Sequence, residues 1–357
     1  MASRSIHVAG MLMMTLFAPA RAGLVPVLAP APIASQAGIT DGWAEFRAVF
    51  CRLMRRGDPS AGADCGAWLR RFPDEAALTA NLPPPGDPPA VNVVIVGGLF
   101  SQCLSPGFTF GDAAARLRAG GYRVSYAPVL GRTSAEANAA IIRAHVARER
   151  AAMPHAPLVI VAYSKGVTDT MTALAAYPEL TTDVGAVISV AGVVNGSRAA
   201  DDLRPLYDAV ASLSPFIPTS KRCPAGDGGE VRTLTHDYRR NWLATHSLPP
   251  TPLYFSIVAL PTAQRVSTVF ALFHRRLARF DPRNDGQMIY ADTILPGSTL
   301  LAYANADHFA VALPLGSAMP KARLFGINRN EFPRAEMVEA AVRIAQGRLV
   351  NKARHLQ

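Results

Sequence analysis

Lysine is nearly missing from this chain of 357 residues: of its 36 basic side chains only Lys165, Lys221, Lys321 and Lys352 are lysines, so the formal net charge of +10 rests on arginine. Nor is that charge gathered into runs. Its densest groups are pairs such as Arg55-Arg56, Arg70-Arg71, Arg239-Arg240 and Arg275-Arg276. With no block of like charge and no helix-turn-helix, zinc-finger or RNA-binding signature, no nucleic-acid partner is expected; the arginines read as a solvated surface with some attraction for anionic lipid. Charged residues of any sign are sparse, 17% against 50% hydrophobic, which excludes a disordered chain and supplies apolar material for one large domain or two modest ones. Internal repeats are lacking too.

No run is long and apolar enough to be a membrane span. The nearest candidate, at the N-terminus, is short: Arg4 and His7 precede an apolar stretch over 8–20, followed by Ala20-Arg21-Ala22. A basic start, a short apolar middle and small residues at an A-x-A end are the pattern of a secretory signal peptide cleaved after residue 22. The expectation is an exported protein, periplasmic or extracellular, with a Pro/Ala-rich lead-in over 23–37 and a helical segment before residue 90. Cysteine is scarce as well, at four residues. In an oxidising compartment Cys51, Cys65, Cys103 and Cys223 can form two disulfides in three pairings. Cys51 with Cys65 is favoured, because these two flank the turn after an amphipathic segment carrying Trp43, Phe46, Val49, Phe50, Leu53 and Met54. Closing so short a loop contributes about 3 kcal/mol on a chain-entropy model. Cys103 and Cys223 are then left for each other.

Prolines over 83–89 read as a linker, and after them strand-like and helix-like segments alternate. The run 91–96 is continuously apolar and β-branched, as a parallel strand buried on both faces requires. Further strands are expected at 122–129, 158–163, 186–190, 253–260 and 300–305. Helices are expected from Asp112 as cap to Gly120-Gly121, from Thr133 with Glu136 as a capping box, over 165–176, and over 333–349. The order β-α-β-α-β-α-β predicts an α/β fold with a mainly parallel sheet and helices on both faces. Residues 196–250, with Asn195-Gly196, several prolines and Cys223, read as an inserted cap, giving one α/β domain over 91–350.

The strand at 158–163 runs directly into Ala162-Tyr163-Ser164-Lys165-Gly166 and a helix. A serine on a tight strand-to-helix turn, with small residues two before and two after, is a nucleophile elbow. At a helix N-terminus the Lys165 N–H lies where an oxyanion would form. Serine needs a base that is itself oriented by a carboxylate. Asp285, in Asn284-Asp285-Gly286, follows the strand at 253–260, and His308 follows the strand at 300–305, so the chain order is Ser164, Asp285, His308. Rival bases are His145, His155, His236, His246 and His274, none of which follows a terminal strand; rival acids are Asp281, Asp292 and Asp307. Gly97-Gly98 directly after the first core strand lets backbone approach a ligand, making the Leu99 N–H a second oxyanion donor. No metal or other cofactor is called for.

These residues carry a resemblance. Over about 91–320, through VIVGGLF, VIVAYSKG, RNDGQ with the following LPGS, and NADHFAVALP, the sequence resembles secreted bacterial serine hydrolases of the α/β-hydrolase superfamily, most of all lipases and esterases. The resemblance implies Ser164 as nucleophile, His308 as general acid and base, Asp285 as orienting acid, Lys165 and Leu99 N–H groups as the oxyanion hole, and residues 196–250 as a lid over an acyl pocket. Two positions depart from the pattern: Ala162 stands for the first glycine of the elbow and Gly97 where many relatives have histidine. The implied function is cleavage of small-molecule or lipid carboxylic esters. Acyl transfer, thioester or amide cleavage would use the same triad; a silent hydrolase fold that binds lipid or a protein partner is the reading from another class.

Overall fold

A computed structural model of the chain describes residues 38–57, 61–70, 91–104, 107–211, 226–315 and 332–355. The expected leader, the lead-in, the proline linker and Cys223 lie outside the described residues. Seven strands form one sheet: β1 (Thr40–Asp41), β2 (Asn92–Val96), β3 (Arg123–Tyr126), β4 (Leu158–Tyr163), β5 (Val184–Val190), β6 (Leu253–Ala259) and β7 (Thr299–Ala304). Their spatial order is β1-β7-β6-β5-β4-β2-β3, and every neighbouring pair is parallel. β4 lies inside the sheet between β5 and β2, with Val96 opposite Ala162 and Tyr163 opposite Val190, so the carboxyl ends of β2, β4 and β5 reach the same edge.

The apolar runs of β2 and β4 are unbroken because both of their faces are covered. Alternate residues serve different cores. Val93, Ile95, Val159, Val161 and Tyr163 point to a layer built from α1 (Trp43–Gly57), α3 (Gly111–Ala119) and α9 (Arg334–His355), which follow and precede the shorter helices named below. Val94, Val96, Leu158, Ile160 and Ala162 point to the opposite layer, built from α4 (Ala135–Ala152), α5 (Lys165–Ala176) and α7 (His236–Thr245). The remaining helices are α2 (Ser101–Leu104), α6 (Arg198–Ala211) and α8 (Ala271–Leu277). No helix among the described residues is long and apolar enough to cross a membrane.

Two helix starts differ from the sequence reading. Phe110, not Asp112, is the residue before α3; Asp112 sits in the first turn, where its Oδ1 accepts from Ala113 N and its Oδ2 lies 2.8 Å from Arg334 Nε at the start of α9. Ser134 rather than Thr133 caps α4, accepting from Ala137 N, while Glu136 takes a hydrogen bond from the Tyr238 hydroxyl on α7. In both cases a distant partner claims the acidic side chain.

The helical segment expected ahead of the α/β core belongs to it. β1 extends the sheet by pairing with β7, and Trp43, Phe46 and Phe50 of α1 share a core with β4 and α9, so the sheet begins earlier in the chain than the boundary at 91 read from sequence. Each buried Phe contributes on the order of 1.5–3 kcal/mol. Cys51 in α1 is joined to Cys65 in the 3₁₀ turn Ala61–Trp68, with Cα atoms 5.3 Å apart. Cys103 is disulfide-bonded too. Within the range assigned to the cap, α7 carries Trp242 into the core with Ile142 and Met171, so this part is the crossover that leads from β5 to β6.

Candidate active site

Ser164 follows β4 at φ 52° and ψ −123°, a backbone conformation that costs about 1–3 kcal/mol for a residue with a side chain. The turn is held by Ser164 N donating to Val190 O, and by Val167 N and Val193 N donating to Ser164 O. Its crowding explains the small neighbours. A Cβ on Gly166 would stand 2.5 Å from the carbonyl oxygens of Val96 and Gly97, and one on Gly98 would stand 3.0 Å from the Ser164 Cβ. Ala162 is fully buried beneath the turn, in the cluster under α4 and α5. The strain aims the hydroxyl of a residue that is only 8% exposed at the sheet's carboxyl edge.

Two loops from the far side of the sheet bring the partners. His308 Nε2 lies 3.0 Å from Ser164 Oγ, and His308 Nδ1 lies 2.7 Å from Asp285 Oδ2. The second oxygen of Asp285 accepts from the backbone N–H groups of Gln287 and Met288 at 2.8 and 2.6 Å, while Asp285 O accepts from His308 N. Asp285 is thus fixed from four directions and fully buried, as a carboxylate that orients an imidazole must be. The Leu99 N–H lies one residue past Gly98 in the loop after β2, and the Lys165 N–H belongs to the first residue of α5. Neither is used as a donor in the backbone hydrogen bonds among the described residues.

No protein-family model matches the chain, and no curated protein does. Solved structures do. A metagenomic carboxyl esterase, MGS0156, is 33% identical over 90% of this chain and 96% of its own, with a TM-score of 0.78. The chain belongs to the esterases and lipases of the α/β-hydrolase fold. EstA from Clostridium botulinum matches with a TM-score of 0.52 at 11% identity over 79% of this chain and 94% of its own. The lipase BlEst2 of Bacillus licheniformis in its propeptide form matches with 0.51 at 23% over 69% and 53%. Both of these share the fold.

In this esterase/lipase chain the rival residues have other partners. Asp292 is 3.2 Å from His236 Nε2 and accepts from Asn195 Nδ2; Asp281 is paired with Arg283 at 2.7 Å. Asp307 accepts from Ser267 N and Oγ through one oxygen and from Phe309 N and Ala310 N through the other, which pins the His308 turn to the loop after β6. Burial pushes the Asp307 carboxyl above the usual range, and those donors oppose the push. His145 is buried with Ser125 Oγ 2.9 Å from its Nε2, while His155 and His246 are exposed. Burial lowers the pKa of His274, against the pull of Asp285 and Asp307.

Sequence reasoning missed the residues that brace the three predicted ones. Tyr163, the residue before Ser164, donates its hydroxyl to His308 O at 2.8 Å, and burial pushes its pKa well up, so it stays a donor. Lys165, whose N–H was predicted to matter, also has a fully buried side chain: its ammonium meets Asp169 Oδ1 at 2.6 Å, and Asn138 donates to the other oxygen while gripping Leu130 N and O. This network ties the elbow helix α5 to α4. Among the described residues no cluster of three or more His, Cys, Asp or Glu side chains is arranged to hold a metal.

Proposed function

We propose that the protein is an exported serine hydrolase of carboxylic esters that works through Ser164, His308 and Asp285. The observation that carries this reading is the hydrogen-bond chain Ser164–His308–Asp285, begun at a strained elbow, in a chain one-third identical to a carboxyl esterase. His308 Nε2 takes the Ser164 proton as Oγ attacks the ester carbonyl; the Leu99 and Lys165 N–H groups receive the developing oxyanion. The imidazolium, held by Asp285, then protonates the leaving alcohol. Water, deprotonated by the same imidazole, attacks the acyl-serine and regenerates the hydroxyl.

Export rests on the leader pattern over 1–22 and agrees with the use of disulfides. The substrate class, a small-molecule or lipid ester, rests on the relative's name and on the burial of Ser164, His308 and Asp285. Contact with anionic lipid is supported at α8, where Leu272 is 64% exposed beside the exposed Arg275. A lid role for the start of the expected cap is supported by α6 reaching α8: Arg276 pairs with Asp202 at 3.1 Å and the Arg198 guanidinium covers the Phe280 ring at 4.5 Å.

The test is turnover of a short p-nitrophenyl ester by the purified protein. Ser164→Ala should lower kcat on the order of 10⁴-fold or more with its melting temperature retained. Activity within tenfold of the parent in that variant overturns the assignment. Product analysis with water and an alcohol both present distinguishes hydrolysis from acyl transfer.

A further inference from the structure

The glycine that lets the β2 loop reach Ser164 creates a difficulty. Gly98 has no Cβ, as its 3.0 Å approach to the Ser164 Cβ demands, and so nothing intrinsic fixes its ψ angle. That angle decides which way the next peptide, and with it the Leu99 N–H, points. Ser101 supplies the missing constraint. Its hydroxyl donates to Gly98 O at 2.7 Å, and its backbone N–H donates to the same oxygen at 3.2 Å. No peptide bond among the described residues is cis, so the Gly98 C=O and the Leu99 N–H lie antiparallel in one plane. Turning the carbonyl toward Ser101 therefore throws the N–H to the other side of the loop.

The loop is built around this contact. A Cβ on Gly97 would lie 2.8 Å from both Cβ and Oγ of Ser101, so glycine there makes room for the serine. Phe100 is held at φ 58°, a left-handed conformation that a bulky side chain adopts only when its surroundings impose it, and its carbonyl accepts from the N–H of the disulfide-bonded Cys103. A hydroxyl donating into the Gly98 carbonyl also polarises that amide, which strengthens its N–H as a donor.

We infer that Ser101 is a positioning residue for ester cleavage: its hydroxyl locks the Gly98–Leu99 peptide so that the Leu99 N–H is presented to the oxyanion on the acyl carbon at Ser164. The inference rests on the proposed triad reading. Without the hydroxyl only the longer bond from Ser101 N remains, and the peptide samples orientations in which the hole has one donor. Interactions with the ground-state ester change little, because the charge that the N–H stabilises is present only in the transition state.

The experiment compares Ser101→Ala and Ser101→Thr with the parent, each normalised by end-point titration of active serines with a fluorophosphonate, and with Ser164→Ala, normalised by protein concentration. The measurements are kcat and KM on a p-nitrophenyl ester, and inhibition by phenylboronic acid, whose tetrahedral adduct with Ser164 puts an oxygen in the oxyanion position. Loss of one whole donor costs 10²–10³ in other enzymes, so a misaligned one should lower kcat about tenfold in Ser101→Ala, with KM within about twofold and boronate inhibition weakened by a similar factor. Ser101→Thr, which keeps the hydroxyl, should restore kcat to within about threefold.

An alanine variant that melts like the parent and matches it in kcat and boronate affinity overturns the inference. Equal loss in the Ala and Thr variants does so as well, because side-chain shape and not the hydroxyl would then be responsible. Loss of the melting transition in Ser101→Ala also overturns it, since the contact would be holding the fold and not one peptide. If instead Ser164→Ala retains turnover, the triad reading itself has failed and the role of Ser101 falls with it.

Discussion

Tyr163 touches both halves of the proposed machinery: its backbone precedes Ser164, and its hydroxyl holds the main chain of His308. Replacing it by Phe leaves the His308 carbonyl unpaired in a buried place, so Tyr163→Phe should cost about 1–3 kcal/mol of stability. It should also lower kcat more than it changes KM; urea denaturation and ester kinetics check the two parts. The residue was invisible in the sequence, whereas Ser164, Asp285 and His308 were readable. Ser164 and His308 stand just past β4 and β7, and Asp285 lies in the long connection between β6 and β7; local pattern and chain order single them out. Tyr163 and His308 are 145 positions apart, and the Ser267–Asp307 clamp joins residues 40 apart, so no spacing rule connects them. What sequence alone reports is which side chains reach the sheet's carboxyl edge, and the shell that aims them appears only when distant loops meet.

Among elements, the link between α6 and α7 carries the sharpest expectation. His236 at the start of α7 lies 2.7 Å from Asp201 on α6 and 3.2 Å from Asp292, in the stretch that follows Asp285; Arg198 faces Asp201 at 3.9 Å. Burial by itself would lower its pKa, but the bonds to the two carboxylates outweigh burial and raise it to about 9. A histidine raised from 6.5 contributes stability that is complete below about pH 6.5 and is lost as pH climbs through about 9. Melting temperature should therefore decline across that window, and His236→Gln should flatten the decline while lowering stability at pH 6; a parental slope in the variant would assign the pH dependence elsewhere. Strand positions were legible to within one or two residues for β2, β4, β6 and β7, because a two-faced buried strand needs an unbroken apolar run. Helix starts were less so. Asp112 and Glu136 look like local helix-start residues, yet Arg334 and Tyr238 take them, and a side chain chosen by a distant partner leaves no trace in its neighbours.

At the scale of the whole molecule, residues 39–80 matched no motif, and among the described ones Trp43, Phe46 and Phe50 of α1 contribute packing against the sheet. Its staple can be measured. Replacing Cys51 and Cys65 together by alanine should lower stability by about 3 kcal/mol, read from denaturant unfolding of the parent and the double variant, while leaving the other disulfide in place. The loss should pass to the site, because the stapled stretch runs along β7: Asn305 donates through its backbone to Trp68 O and through its side chain to Ala67 O, three residues before His308. The pairing of β1 with β7 has a further consequence, in time. Thr40 pairs with Thr299, so during synthesis Trp43, Phe46 and Phe50 must wait for more than two hundred residues to emerge before that cover exists. A nascent chain of this protein is a sticky one until β7 and α9 have emerged, and the same closing step that hides those rings also delivers the last member of the hydrogen-bonded trio.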